Sequence, residues 1–328
     1  MPLIRHILAS QATRWGFVVV AVGYGGYAIS KRWADIDHAL ARIGLPMSLL
    51  ALVCTLGALT ASMWAWRVLL AGLGSSLPFG VAARIVFIGQ LGKYLPGAVW
   101  PVLAQMELAT EHNVPRLRTV TASTVNMLVG PITGLIVALV ALPFTGGSTP
   151  YLWTFTALPF LLACLHPRIL NYLIGRALRF ARRPPLEQSL TGRVIASALG
   201  WLFVSWILYG LQVWVLAIRV GVSPGIALPL SIGGFALAWS VGFLIIFLPA
   251  GAGAREVVLI AILAHPAGLT LAAADAVALL SRAATLAADL ITAGVSALSN
   301  HRGRARAKSP AAEAEPATAK SPLPVPEK

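Results

Sequence analysis

The chain has 328 residues, 58% hydrophobic and 11% charged. A water-soluble domain carries about 25% charged residues, so this composition, with mean hydropathy +0.80, excludes an ordinary soluble enzyme and indicates a polytopic membrane protein. The net charge of +14 would signal nucleic acid in a soluble chain. Here the basic residues flank apolar runs, which assigns them to lipid headgroups and membrane topology and leaves no role for nucleic acid.

The first apolar run, Trp15 to Ser30, follows Arg5 and Arg14 and precedes Lys31-Arg32. Its weak basic start and the apolar runs that follow favour an uncleaved first span over a signal peptide. Trp33 to Ile43 is a polar link, and Ile43 to Trp66 is free of charge and long enough to cross a bilayer, which takes about 20 residues. Ala82 to Glu107 differs, since Arg84, Gln90, Lys93, Pro96, Gly97, Pro101 and Gln105 interrupt its apolar residues. A lipid-facing helix would not hold these groups. Two short helices broken at Pro96-Gly97, dipping in and returning, accommodate them, because irregular backbone is tolerated at membrane depth where it is buried in protein or lines a wet cavity.

Thr119 to Pro167 carries no formal charge and is divided by the turn signal Gly146-Gly147-Ser148-Thr149-Pro150. The loop from His166 to Arg193 is rich in arginine, with apolar residues at helical spacing (Leu170, Leu173, Ile174, Ala177, Leu178). That pattern predicts a helix lying on the membrane surface, on the cytoplasmic side by the positive-inside rule. Val194 to Ile218 and Ile226 to Leu248 are two more spans. A second break follows at Pro249, Gly251 and Gly253, beside Arg255 and Glu256, and a short apolar helix then runs to Ala264.

Thr270 to Leu298 is the last helix. Its Asp275, Arg282 and Asp289 are seven residues apart and so share one face, which must look inward because charges facing lipid are heavily penalised. This face reads either as a structural ion network or as a place where Arg282 meets a substrate phosphate. Residues 301–328 shift to basic and then Ala/Pro-rich sequence, the composition of a disordered tail. The expectation is an all-α polytopic bundle over residues 1–300, with about eight membrane elements. Two of these are Pro/Gly-broken segments, open to a re-entrant reading. Both termini are expected in the cytoplasm.

A broken helix exposes N–H groups at a half-helix start, where the dipole favours anions. Paired broken segments in two halves of a chain point to a transporter binding site. The candidate substrate-binding residues are therefore Gln90, Lys93, Tyr94, Arg255, Glu256 and Arg282, with Pro96, Gly97, Pro249, Gly251 and Gly253 as the breaks. Trp100 is expected to border the site with Tyr94, while most tryptophans mark span ends or core positions. The plain alternative is that Arg255 and Glu256 form a helix-start charge pair in the headgroup zone. Cys54 and Cys164 lie in apolar stretches, and the six histidines are scattered. No metal, cofactor or catalytic motif is indicated.

Gly89-Gln-Leu-Gly-Lys-Tyr-Leu-Pro-Gly97 with Val99-Trp100, Leu248-Pro-Ala-Gly-Ala-Gly-Ala-Arg-Glu256 and Leu280-Ser-Arg282 together resemble a known family. It is the membrane domain of lysylphosphatidylglycerol synthases and their stand-alone flippase-like relatives. Where relatives carry an acid-arginine pair after the first break, this chain reads Thr124-Val-Asn-Met127. The resemblance implies a multi-pass protein of the bacterial or archaeal cell membrane that moves an anionic lipid between leaflets, either a phospholipid or a polyprenyl-phosphate-linked sugar. It also implies that the synthase activity is missing and that membrane lipids are the partners. The alternative is a membrane enzyme, or an accessory subunit of a lipid-linked glycosyltransferase pathway.

Overall fold

The computed structural model describes residue 27 and residues 33–95, 99–145, 155–180, 188–245, 249–265 and 268–308. Every regular element among them is helical: α1 Trp33–Ile43, α2 Leu45–Gly72, α3 Phe79–Gly89, α4 Trp100–Thr110, α5 Arg116–Ala141, α6 Leu158–Cys164, α7 Pro167–Phe180, α8 Gly192–Ala217, α9 Pro224–Leu244, α10 Ala254–Ala264 and α11 Leu271–Lys308, with short 3-10 turns between some of them. Five helices are long and apolar enough to cross a membrane, or six if the pair α6 and α7, bent by 59°, counts as one. The first apolar run, Trp15 to Ser30, lies outside the described residues. Helix α11 continues through Lys308, so the helix outlasts the composition change at Asn300, and the rest of the expected tail lies outside the described residues.

Lipid tails are as apolar as leucine, so these helices are held by close packing and a few buried polar contacts. Helices α2 and α8 form the most extensive pair, with Ser205 Oγ donating to the Ala58 carbonyl at 2.9 Å. Helices α5 and α9 pack beside them, where Ser240 Oγ reaches the Pro131 carbonyl at 3.3 Å. Helix α11 lies against α2, α3, α8 and α10, and Gln212 Nε2 ties it to α8 through Ser281 Oγ at 2.7 Å.

Contacts at the helix ends sort the loops onto two faces. On one face, Arg118 Nη1 donates to the Gly74 carbonyl at 2.8 Å, and the Gln188 side chain lies beside Gly74. The surface helix α7 is tied to this face by Asn171, whose Nδ2 donates to the Leu190 carbonyl and whose Oδ1 accepts from the Leu190 N–H, at 2.8 and 3.0 Å. It leaves Ile169, Tyr172, Leu173 and Phe180 exposed, as expected of a helix in the headgroup layer. On the opposite face, Arg219 Nε donates to the Ile43 carbonyl at 3.2 Å, and Leu269 packs against Ala217, Val222 and Ala227. Helix α10 therefore returns to the face from which α9 started. Its 11 residues rise about 16 Å, half of the roughly 30 Å hydrocarbon core. The segment after Pro249 turns back instead of crossing, and α11 makes the last crossing.

Candidate functional site

The first broken segment is a hairpin of half-helices. Helix α3 tightens into a 3-10 turn over Gln90–Tyr94, and the chain becomes extended at Leu95 (φ −90°, ψ 147°). Pro96 and Gly97, the predicted break, lie outside the described residues. A Cβ on Gly92 would sit 2.8 Å from the backbone of Trp100 and Pro101, so glycine is what lets the returning helix α4 approach this turn.

The second break is built similarly. Pro249–Gly251 forms a 3-10 turn, with positive φ at Ala250, Gly251 and Gly253 (50°, 65° and 86°). Gly251 crosses α9 so closely that a Cβ would lie 3.0 Å from the Gly242 Cα. The two 3-10 turns touch one another; the first lies beside α11 and the second beside α9.

Asp289 of α11 is the junction. It is fully buried and pairs with Lys93 Nζ at 2.6 Å. Its Oδ2 also accepts from Tyr94 Oη at 2.5 Å, and its Oδ1 accepts from Gln90 Nε2 at 3.1 Å. One carboxylate thus takes three side chains of the first break, which satisfies a charge that could not otherwise stay in this interior. Arg282, seven residues earlier on the same face, serves the second break. Its Nε lies 3.5 Å from Glu256 Oε1 and its Nη1 donates to the Ala250 carbonyl at 3.1 Å. Glu256 Oε2 in turn accepts from the Gly253 N–H at 2.7 Å, capping the first turn of α10.

The pairing differs from the sequence expectation in one respect. Arg255 and Glu256 do not form an ion pair with each other, because consecutive residues on a helix point about 100° apart. Glu256 turns to Arg282, and Arg255 turns the other way to lie over the Phe235 ring at 5.1 Å. Among the described residues, Arg255 has no hydrogen bond or ion pair.

These groups border a cavity of 250 Å³. Of the six predicted substrate-binding residues, Gln90, Lys93, Tyr94, Arg255 and Arg282 line it, and Glu256 stands behind Arg282. Trp100 does not line it; Pro101 and Val102 of the same helix do. Asp275 stands outside this cluster. The remaining wall is aromatic and neutral polar: Trp206 and Trp239 meet edge to face at 5.4 Å, while Gln105, Ser123 and Asn126 face the same space. Trp66 Nε1 donates to Ser123 Oγ at 2.9 Å, and Ser123 Oγ donates to Gln105 Oε1 at 2.5 Å. Sequence reasoning missed Asp289 as the centre, although its place seven residues after Arg282 was the available signal. It also missed Phe235, which no linear pattern marks.

Among the described residues no cluster of side chains suits a metal ion. The arrangement is a chamber inside a helical membrane protein, walled by two broken segments and the last span. The family model described as lysylphosphatidylglycerol synthase TM region matches residues 14–293, and the chain belongs to this family. No match was found among curated proteins.

Proposed function

We propose that the protein is a lipid flippase, which admits the headgroup of an anionic lipid to the chamber while the acyl or prenyl tails stay in the bilayer. The observation that carries this reading is the convergence of Lys93, Arg255 and Arg282, from three distant parts of the chain, on one cavity between spanning helices. Cations at membrane depth are costly and mark substrate or ion pathways.

Covalent chemistry has little support. Asp289 is held by Lys93, Tyr94 and Gln90, and Glu256 by Arg282 and the Gly253 N–H. Neither carboxylate is left to act as a general acid or base. We propose membrane lipids as the partners, with no nucleotide consumed by this chain.

The test is reconstitution into liposomes with fluorescent anionic lipids and a membrane-impermeant quencher. Exchange between leaflets that exceeds empty vesicles and depends on the headgroup is expected. Exchange at the empty-vesicle rate for every lipid tried contradicts the reading. Turnover of a lipid-linked sugar by the purified protein would replace it with an enzymatic one.

A further inference from the structure

The charges around the chamber do not cancel. Lys93 is matched by Asp289, and Arg282 by Glu256. Among the described residues Arg255 is left over, lining the cavity with only the Phe235 ring beneath it. Three cations against two carboxylates leave one positive charge. No Asp or Glu is among the described residues lining the cavity.

The other part of the lining is polar but uncharged. Gln105, Ser123 and Asn126 face the same cavity, and Asn126 Oδ1 is a buried acceptor with no hydrogen-bond partner among the described residues. A buried acceptor left unpaired is costly. A hydroxyl of a bound molecule would supply the missing donor once the Asn126 amide, on a residue that lines the cavity, turns its oxygen toward it. Trp206 and Trp239 wall the chamber beside these groups.

We propose that the chamber selects a lipid whose head carries one negative charge, as a phosphodiester, continued by an uncharged hydroxyl-bearing group, and that it disfavours heads bearing an ammonium group. The phosphodiester oxygens meet the fork of Arg255, and the hydroxyls meet Asn126 and its neighbours. A phosphomonoester would bring up to two charges to the single unmatched guanidinium. An aminoacylated or amine head would bring an ammonium to a chamber with cations in its lining and no carboxylate among the described lining residues to receive it. A glycerol head and a sugar head share the favoured chemistry. The proposal rests on the flippase reading and narrows it.

Binding to the full chain in phosphatidylcholine nanodiscs separates these cases, by displacement of a fluorescent phosphatidylglycerol with short-chain competitors. Phosphatidylglycerol or a polyprenyl-phosphate hexose should bind at least about ten-fold more tightly than phosphatidic acid and lysylphosphatidylglycerol, a gap set by one unmatched charge. Which of the two binds more tightly identifies the source of the head. A merely positive patch would rank phosphatidic acid first, and that result overturns the proposal. So does lysylphosphatidylglycerol binding as tightly as phosphatidylglycerol.

Phosphatidylmethanol, a phosphodiester with no hydroxyl, isolates the neutral end. Asn126→Leu should remove the preference for phosphatidylglycerol over phosphatidylmethanol while keeping the preference over phosphatidylcholine. Arg255→Gln should remove the preference over phosphatidylcholine. Unchanged rankings in both variants overturn the proposal. If liposomes exchange anionic lipids faster than phosphatidylcholine but with no ranking among the anionic heads, the selectivity fails and the flippase reading stands. If neither binding nor exchange is seen, both fail.

Discussion

Asp289 shows what a single residue does in this interior. Its carboxylate gathers Lys93, Tyr94 and Gln90, fixing the first break to α11. Removing one partner of a buried pair commonly costs about 3–5 kcal/mol, and Lys93 keeps some access to the cavity, so the cost here falls below that. Asp289→Asn is expected to lower stability by about 2 kcal/mol, read as the shift in a denaturant or thermal unfolding curve in detergent. An unchanged curve contradicts the junction role. The inward face carrying Arg282 and Asp289 was legible from their spacing. Which residue each would bind was not. The hydrogen-bond partners of Asp289 lie 195 or more positions away, Tyr94 among them. Those of Arg282, namely Glu256 and Ala250, lie in another element beyond a turn, so neither set leaves a local pattern.

The two breaks were legible as elements, because Pro, Gly and charge inside an apolar run are tolerated at membrane depth only where the backbone is shielded from lipid. Their shapes were not. Whether the segment after Pro249 crosses or returns depends on the 11-residue length of α10 and on where Leu269 packs. Glycine substitutions test the second break. Gly251 and Gly253 both have positive φ, but only at Gly251 does a Cβ meet backbone, 3.0 Å from the Gly242 Cα; around Gly253 there is open space within 4 Å. Gly253→Ala should cost about 1–3 kcal/mol from backbone strain alone. Gly251→Ala should cost more, since neither backbone can step aside. Equal unfolding midpoints for the two variants would argue against the close crossing.

For the whole molecule, the all-helical membrane class followed from composition alone, whereas the enclosed chamber required the fold. The structure groups the arginine-rich stretches on one face: Arg116 and Arg118 at the start of α5, Arg168, Arg176 and Arg179 on α7, and the end of α11. By the positive-inside rule we propose this as the cytoplasmic face. In a background with Cys54 and Cys164 replaced, Thr191→Cys and Ser299→Cys should react with an impermeant maleimide only after the inner face is opened. Ser223→Cys should react in intact cells, and the reverse pattern contradicts the assignment. The chamber itself is tested most directly by the initial rate of leaflet exchange of a fluorescent phosphatidylglycerol in proteoliposomes holding equal amounts of wild-type or Arg255→Gln protein. Loss of one charge-assisted phosphate contact, about 1.5–3 kcal/mol, predicts a rate reduced at least about ten-fold with the protein still folded. Equal rates for the two proteins would remove the unpaired guanidinium from the lipid's path and contradict the account.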